Sequence, residues 1–213
     1  MQRPKILVVN PNSNEAVTNG LRESLKIFMS EAVIECCTLE RGPFGIESDD
    51  DIRNVIPLIR DKIGGSQSYD AFVIACYSDP GLDECRTSFA KPVYGMQESA
   101  VRTAVSFSGK FGVLALSDES IRRHLEYIRR LGYEKNLACE VALNITVDEA
   151  VNGLETANKV ISAGQSLVDD YGVSAVILGC AGMASAKRIA ETKLPVPVIE
   201  PAQAAVELAL KSV

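Results

Sequence analysis

Eight short apolar runs alternate with segments of helical length along almost the whole chain, and this alternation constrains the fold more than any other feature. The runs are KILVV (5 to 9), VIECCTL (33 to 39), AFVIAC (71 to 76), PVYGM (92 to 96), FGVLAL (111 to 116), LACEVAL (137 to 143), AVILGC (175 to 180) and VPVI (196 to 199). A strand with one wet face alternates apolar and polar residues. These runs are nearly continuous, which requires cover on both faces. Ala16 to Met29, Asp51 to Ile63, Asp118 to Arg130, Val147 to Asp169 and Ala202 to Leu210 have helical length and period and can supply that cover. The pattern predicts an α/β protein with parallel sheets between helical layers.

The order of elements also repeats. KILVVN is echoed by FGVLAL after 106 residues, AFVIAC by AVILGC after 104, and KPVYGMQESAVRTAV by LPVPVIEPAQAAVEL after 103. Three echoes at nearly constant spacing predict two similar three-layer α/β/α domains with mainly parallel sheets. The expected division is residues 1–98 plus a returning helix at 201–213 for the first domain, and 99–200 for the second. Two such sheets direct the C-terminal ends of their strands toward a common cleft, the usual ligand site of α/β folds.

Composition narrows the function classes. A chain of 213 residues that is 46% hydrophobic can bury a large core, and a formal charge of -6 gives no electrostatic reason to expect nucleic acid. The clusters Arg122-Arg123 and Arg129-Arg130 fall on one helix and read as a solvated face. The opening MQRPKILVVNPNS is too short in its apolar part for a signal sequence, and no run approaches 18 apolar residues, so a soluble cytoplasmic protein without membrane contact is expected. Six cysteines with no CxxC pair and a single histidine, His124, give little support for a disulfide framework or a metal site. His124 also gives no sequence sign of reaching a cysteine, so histidine chemistry is not expected.

Two of the cysteines stand apart from the others. Cys76 and Cys180 each end an apolar strand, at corresponding points of the repeat, and each is followed at once by turn residues: SDPG after Cys76 and AGM after Cys180. Ser78 or Asp79 could cap a helix with Pro80 in its first turn, while Gly182 permits close backbone approach. Free N–H groups at such turns favour a thiolate or a substrate oxygen. Cys36, Cys37, Cys85 and Cys139 fall within strand or helix bodies and read as core or incidental residues. Two opposed cysteines suit a two-base racemisation, one thiolate removing a proton from a stereocentre and one thiol returning a proton to the other face.

The segments VNPNSNEAVT (9 to 18), ACYSDPGLDECR (75 to 86), KPVYGMQESA (91 to 100), VILGCAGMA (176 to 184) and LPVPVIEPAQAAV (194 to 206) resemble the aspartate/glutamate/hydantoin racemase superfamily, most closely its hydantoin and allantoin racemase branch. The resemblance implies a cofactor-independent racemase working in a cleft between two α/β domains, with Cys76 and Cys180 as the catalytic pair and a homo-oligomeric assembly. It places Asn10, Ser78, Asp79, Ser117, Ala181 and Gly182 at or near the substrate, with no metal and no cofactor. Asn12 could anchor the first loop by capping its following helix, and Ser117 could cap a helix instead of touching substrate. FGVLALSDES (111 to 120) departs from the threonine-rich turn of the branch, which leaves the substrate subtype open. The absence of a cationic motif beside either cysteine favours a neutral ring over an amino-acid carboxylate. Glu98 and Glu200, which follow the paired PV strands, read as supporting or surface residues.

The favoured substrates are therefore 5-substituted hydantoins or allantoin. An amino-acid racemase, another isomerase or decarboxylase of the superfamily, and a non-catalytic ligand-sensing module are the competing readings.

Overall fold

The computed structural model describes residues 3–151 and 153–213. Met1, Gln2 and Asn152, the last inside the helix expected over Val147 to Asp169, lie outside the described residues. The first half runs β1 (Lys5–Asn10), α1 (Glu15–Ser24) with a 3-10 turn (Leu25–Phe28), β2 (Val33–Thr38), α2 (Asp49–Gly64), β3 (Ala71–Ile74), α3 (Leu82–Ser88), β4 (Val93–Gly95) and α4 (Met96–Val105). The second runs β5 (Phe111–Ala115), α5 (Asp118–Arg130), a 3-10 turn (Glu134–Asn136), β6 (Leu137–Ala142), α6 (Val147–Ala150) and α7 (Gly153–Tyr171). It continues through β7 (Ala175–Leu178), a 3-10 turn (Ala181–Ala186), α8 (Lys187–Glu191), β8 (Val198–Ile199) and α9 (Pro201–Leu210).

Each half contains a four-stranded sheet, in the order β2-β1-β3-β4 and β6-β5-β7-β8. Every strand pair is parallel, with Val8 beside both Cys36 and Val73, and Val113 beside both Glu140 and Ile177. The two halves are pseudo-symmetric α/β/α units, as the repeat predicts. Strand periodicity separates their faces. Ile6 and Val8 enter one apolar cluster and Leu7 and Val9 another, while in β7 Val176 and Leu178 part from Ala175 and Ile177.

The cluster holding Ile6, Val8, Leu114, Val176 and Leu178 is common to both halves and also takes Val17 and Leu21 of α1 and Ala202 and Ala205 of α9. Fully buried Phe72 and Phe111 anchor the two sheets, each worth roughly 1.5–3 kcal/mol in transfer from water. The helices exchange between halves: α9 packs on β3, β4 and α4, while α4 packs on β7 and β8.

Local sequence explains most of the element ends. Ser48 and Asp51 form a capping box at α2, where Asp49, Asp50 and Asp51 also favour the positive end of the helix. β8 is only two residues long because Pro195 and Pro197 lack the N–H that would continue the ladder. Two expectations are corrected. The single helix over Val147 to Asp169 is broken into α6 and α7. The helix after Cys76 is capped by neither Ser78 nor Asp79: α3 starts at Leu82, behind Gly81 with φ 70°, because the Asp79 carboxylate is engaged by a different helix.

Candidate active site

The two strand-end cysteines emerge by the same local geometry. Past β3, the Ala75 N–H donates to the Val9 carbonyl at 2.8 Å, and past β7 the Gly179 N–H donates to the Leu114 carbonyl at 2.8 Å. Each cysteine then opens a tight turn. The Cys76 carbonyl accepts from Asp79 N–H at 3.0 Å, and the Cys180 carbonyl accepts from Met183 N–H at 3.1 Å. Cys76 and Cys180 line one cavity between the halves, together with Asn12, Ser78, Ser120, Arg123, His124, Ala181 and Gly182. Ile46 and Val147 add apolar wall.

The cavity measures about 30 Å³, room for about two waters. Hydrogen bonds also link the two halves: Val147 N–H donates to Glu47 Oε1 at 3.0 Å, Asn14 Nδ2 to Asp148 Oδ1 at 3.3 Å, and Arg122 Nη2 to Asp49 Oδ2 at 2.7 Å.

Burial dominates the electrostatics of both thiols. It pushes Cys76 up to about 12, with Cys180 and Asp79 adding to the rise, and the Ser78 N–H and Arg123 charge opposing it. Cys180 is pushed up to about 11, and the N–H groups of Gly182 and Met183 resist the rise while Glu47 adds to it. Cys180 Sγ accepts from Gly182 N–H at 3.3 Å. A methyl at Gly182 would lie 3.0 Å from Ala150 Cβ and 3.6 Å from Cys180 Sγ, so glycine allows this close turn. The two sulfurs are thus chemically inequivalent: Cys180 Sγ accepts the Gly182 N–H, while Cys76 is influenced by the Ser78 N–H and the Arg123 charge.

Of the residues expected near substrate, Cys76, Cys180, Ser78, Ala181 and Gly182 share the cavity, whereas Asn10, Asp79 and Ser117 stand behind it. Asn10 is fully buried, and its Nδ2 reaches Asn12 Oδ1 at 3.0 Å, Asn14 O at 3.3 Å and Thr18 Oγ1 at 3.0 Å. It fixes the loop that carries Asn12. The cap on α1 belongs to Asn14, whose Oδ1 accepts from Ala16 N–H at 3.0 Å, and Asn12 faces the cavity.

Asp79, at φ 44°, receives the N–H groups of Gln97 and Glu98, both at 2.8 Å, and so caps α4. Gly95 has no side chain where its Cβ would fall 2.2 Å from the Asp79 carboxyl carbon. Burial pushes Asp79 up to about 7, with those two N–H bonds pulling down. Ser117 caps α5 by accepting from Ser120 N–H at 3.2 Å.

Glu98 and Glu200 are buried but do not come together as a pair. Glu98 joins Arg86 and Arg102 at 2.7 and 2.8 Å, and Glu200 caps α9 through Ala202 and Gln203 N–H groups, both at 2.9 Å. Cys85, on α3, is buried in the apolar cluster it shares with Val55 and Ile59 of α2, and does not line the cavity.

Ser120, Arg123 and His124 reach the cavity, although the sequence reading placed Arg123 on a solvated face, set His124 aside and did not single out Ser120. They share the face of α5 that includes Ser117, at spacings of three and four, on the helix that leaves the site-facing end of β5. That periodicity was the available signal. Arg123 corrects the solvated-face reading: its side chain is 9% exposed, against 50% for Arg122. It also places a cation at the cavity, although no cationic motif adjoins either cysteine in the sequence. His124 is buried, its Nδ1 lies 3.0 Å from Glu140 Oε2, and its ring meets the Tyr77 ring edge-on at 4.8 Å.

Comparison with known proteins bears on the family and the fold. The Asp/Glu/Hydantoin racemase family matches residues 6–209. The chain is 32% identical to the hydantoin racemase of Paenarthrobacter aurescens over 96% of this chain and 89% of that one. It is also 32% identical to the hydantoin racemase of Pseudomonas sp. (strain NS671), over 96% and 84%. Its fold superposes on the allantoin racemase from Klebsiella pneumoniae with a TM-score of 0.91 at 25% identity, covering 98% of this chain and 86% of that one. With nearly its whole length matched, this chain belongs to the Asp/Glu/hydantoin racemase family.

Proposed function

We propose that the protein is a cofactor-independent racemase of 5-substituted hydantoins or allantoin, transferring protons between the two faces of C5 through Cys76 and Cys180. The observation that carries this reading is the shared cavity with one strand-end cysteine from each half in its wall. The relatives named above carry the ring-substrate names.

One thiolate and one thiol make up the reactive pair. With Cys180 as thiolate, its sulfur takes the C5 proton, the C–H pair moves into the C5–C4 bond, and charge passes to the C4 carbonyl oxygen. The Cys76 thiol then protonates C5 on the opposite face, leaving Cys76 as thiolate and Cys180 as thiol. That product form accepts the other enantiomer directly. The N–H groups of Gly182 and Met183 make Cys180 the easier of the two to ionise. The cavity of about 30 Å³ is smaller than a hydantoin ring, so its walls move apart when substrate binds.

A second reading, racemisation of a substrate bearing a carboxylate, is favoured by Arg123 at the cavity wall. Both readings are tested by incubating each enantiomer of 5-methylhydantoin, 5-benzylhydantoin, allantoin, aspartate and glutamate in D₂O. Enzyme-dependent loss of rotation with deuterium at C5 of a ring substrate supports the first. Turnover of amino acids alone would replace it with the second.

A further inference from the structure

The racemase reading leaves His124 and Glu140 without a role, although both are buried and one of them faces both cysteines. His124 Nδ1 lies 3.0 Å from Glu140 Oε2, with the two side chains 3% and 1% exposed. The ring of Tyr77, the residue after Cys76, meets the imidazole at 82° and fixes its plane. Nε2 has no hydrogen-bond partner among the described residues, and His124 forms part of the cavity wall. A buried imidazole with one nitrogen anchored and the other unpaired at a cavity is more than a packing residue.

The reaction needs a donor that the backbone does not supply. The Gly182 N–H is taken by Cys180 Sγ at 3.3 Å, and the Met183 and Asp79 N–H groups by the cysteine carbonyls. The Ser78 N–H is directed at the Cys76 sulfur. Among the side chains, Ser120 Oγ is held by Ser117 and Arg123, the Arg123 Nη groups turn toward Ser120, Glu119 and Asp49, and Tyr77 Oη and Arg123 Nε are buried without hydrogen-bond partners among the described residues. Of the donors that line the cavity, His124 is the one anchored by a buried carboxylate. The protonation of the pair points the same way. A buried carboxyl that keeps its proton avoids the cost of a buried charge. Burial also pushes Glu140 above the usual carboxylate range. A protonated Glu140 donates to Nδ1, and the neutral imidazole then carries its own proton on Nε2.

We propose that His124, held by Glu140, donates a hydrogen bond from Nε2 to the ring carbonyl oxygen that gains negative charge when C5 loses its proton. The inference rests on the racemase reading. No proton leaves the imidazole: the donor strengthens its bond as charge develops, the action of an oxyanion hole. Tyr77 and Glu140 act through His124 as positioning residues.

The test uses the full chain and whichever of 5-methylhydantoin, 5-benzylhydantoin or allantoin the wild type racemises. His124→Leu keeps an apolar side chain of similar bulk in the cavity wall and lowers kcat by about 10²–10³-fold, with KM changed much less. His124→Gln retains an amide donor near Nε2 and recovers at least tenfold over the leucine variant. Glu140→Gln falls between wild type and His124→Leu. Racemisation and C5 deuterium uptake decline together in each variant, and thermal melts show each variant folded. The inference is overturned if the folded leucine variant keeps more than a third of wild-type kcat, or if the glutamine and leucine variants are equally slow. A wild type inactive on all three rings removes the racemase reading and this inference together, whereas an active wild type with an active leucine variant removes the inference alone.

Discussion

Raising the pH from 6.5 to 8.5 is expected to increase kcat/KM about a hundredfold. The reactive enzyme carries one thiolate and one thiol, and burial holds Cys180 at about 11 and Cys76 at about 12. At pH 7 a thiol with the lower value is ionised in roughly one molecule in 10⁴, and each unit of pH below 11 multiplies that fraction about tenfold. Two units therefore give about a hundredfold, and the doubly ionised, inactive form stays negligible until far higher pH. Glu47 acts in the same balance by pushing Cys180 up. Glu47→Gln, which keeps an oxygen for the Val147 N–H, should move the whole profile to lower pH. The assay is polarimetry of each enantiomer at low concentration, corrected for base-catalysed racemisation without enzyme, since kcat/KM reports the free enzyme. A plateau already reached below pH 8 would mean a preformed thiolate and would refute the argument from burial.

Three further outcomes follow from named contacts. Asp79 sits at about 7 when folded, against about 3.9 for an unfolded aspartate. Between those values the folded chain binds the extra proton, so stability falls as pH rises through that window, by up to about 4 kcal/mol from this group, and is flat above it. Urea titrations of Asp79→Asn against wild type at pH 4 to 8 should show the variant lacking that component, and parallel curves would contradict it. Gly182→Ala should destabilise by about 1–3 kcal/mol through the 3.0 Å clash with Ala150 and slow racemisation by displacing the N–H on Cys180; an unchanged rate would show that this N–H does not serve the sulfur. Cys85→Ala should lower the melting temperature while leaving kcat/KM within about twofold, because Cys85 is packed with Val55 and Ile59 of α2 and does not line the cavity; a large loss of activity would move the catalytic assignment.

The fold was legible because its strands are buried on both faces and its halves repeat. Near-continuous runs such as AFVIAC and AVILGC can sit only in covered parallel strands, and their constant spacing disclosed the symmetry. The prominence of Cys76 and Cys180 came from the same rule, since a strand end in such a fold faces the ligand side. Side-chain direction was harder to read. Asp79, next but two to a cysteine, looked like a ligand group yet turns away to α4, since only the folded chain brings the free N–H groups of Gln97 and Glu98 to it. Arg123 read as part of a solvated arginine face and His124 gave no sign of reaching a cysteine, although one face of α5 carries both into the cavity with Ser120. The Glu140 partner lies 16 residues on, across a sheet register that no local pattern encodes.

The most direct test of two-face proton transfer compares Cys76→Ser and Cys180→Ser in D₂O, following C5 deuterium uptake and optical rotation separately for each enantiomer. Each variant should lose racemisation while the surviving cysteine still exchanges the C5 proton of one hand, and the two variants should prefer opposite hands. Racemisation persisting in either variant, or exchange of the same enantiomer by both, would contradict the assignment of one cysteine to each face.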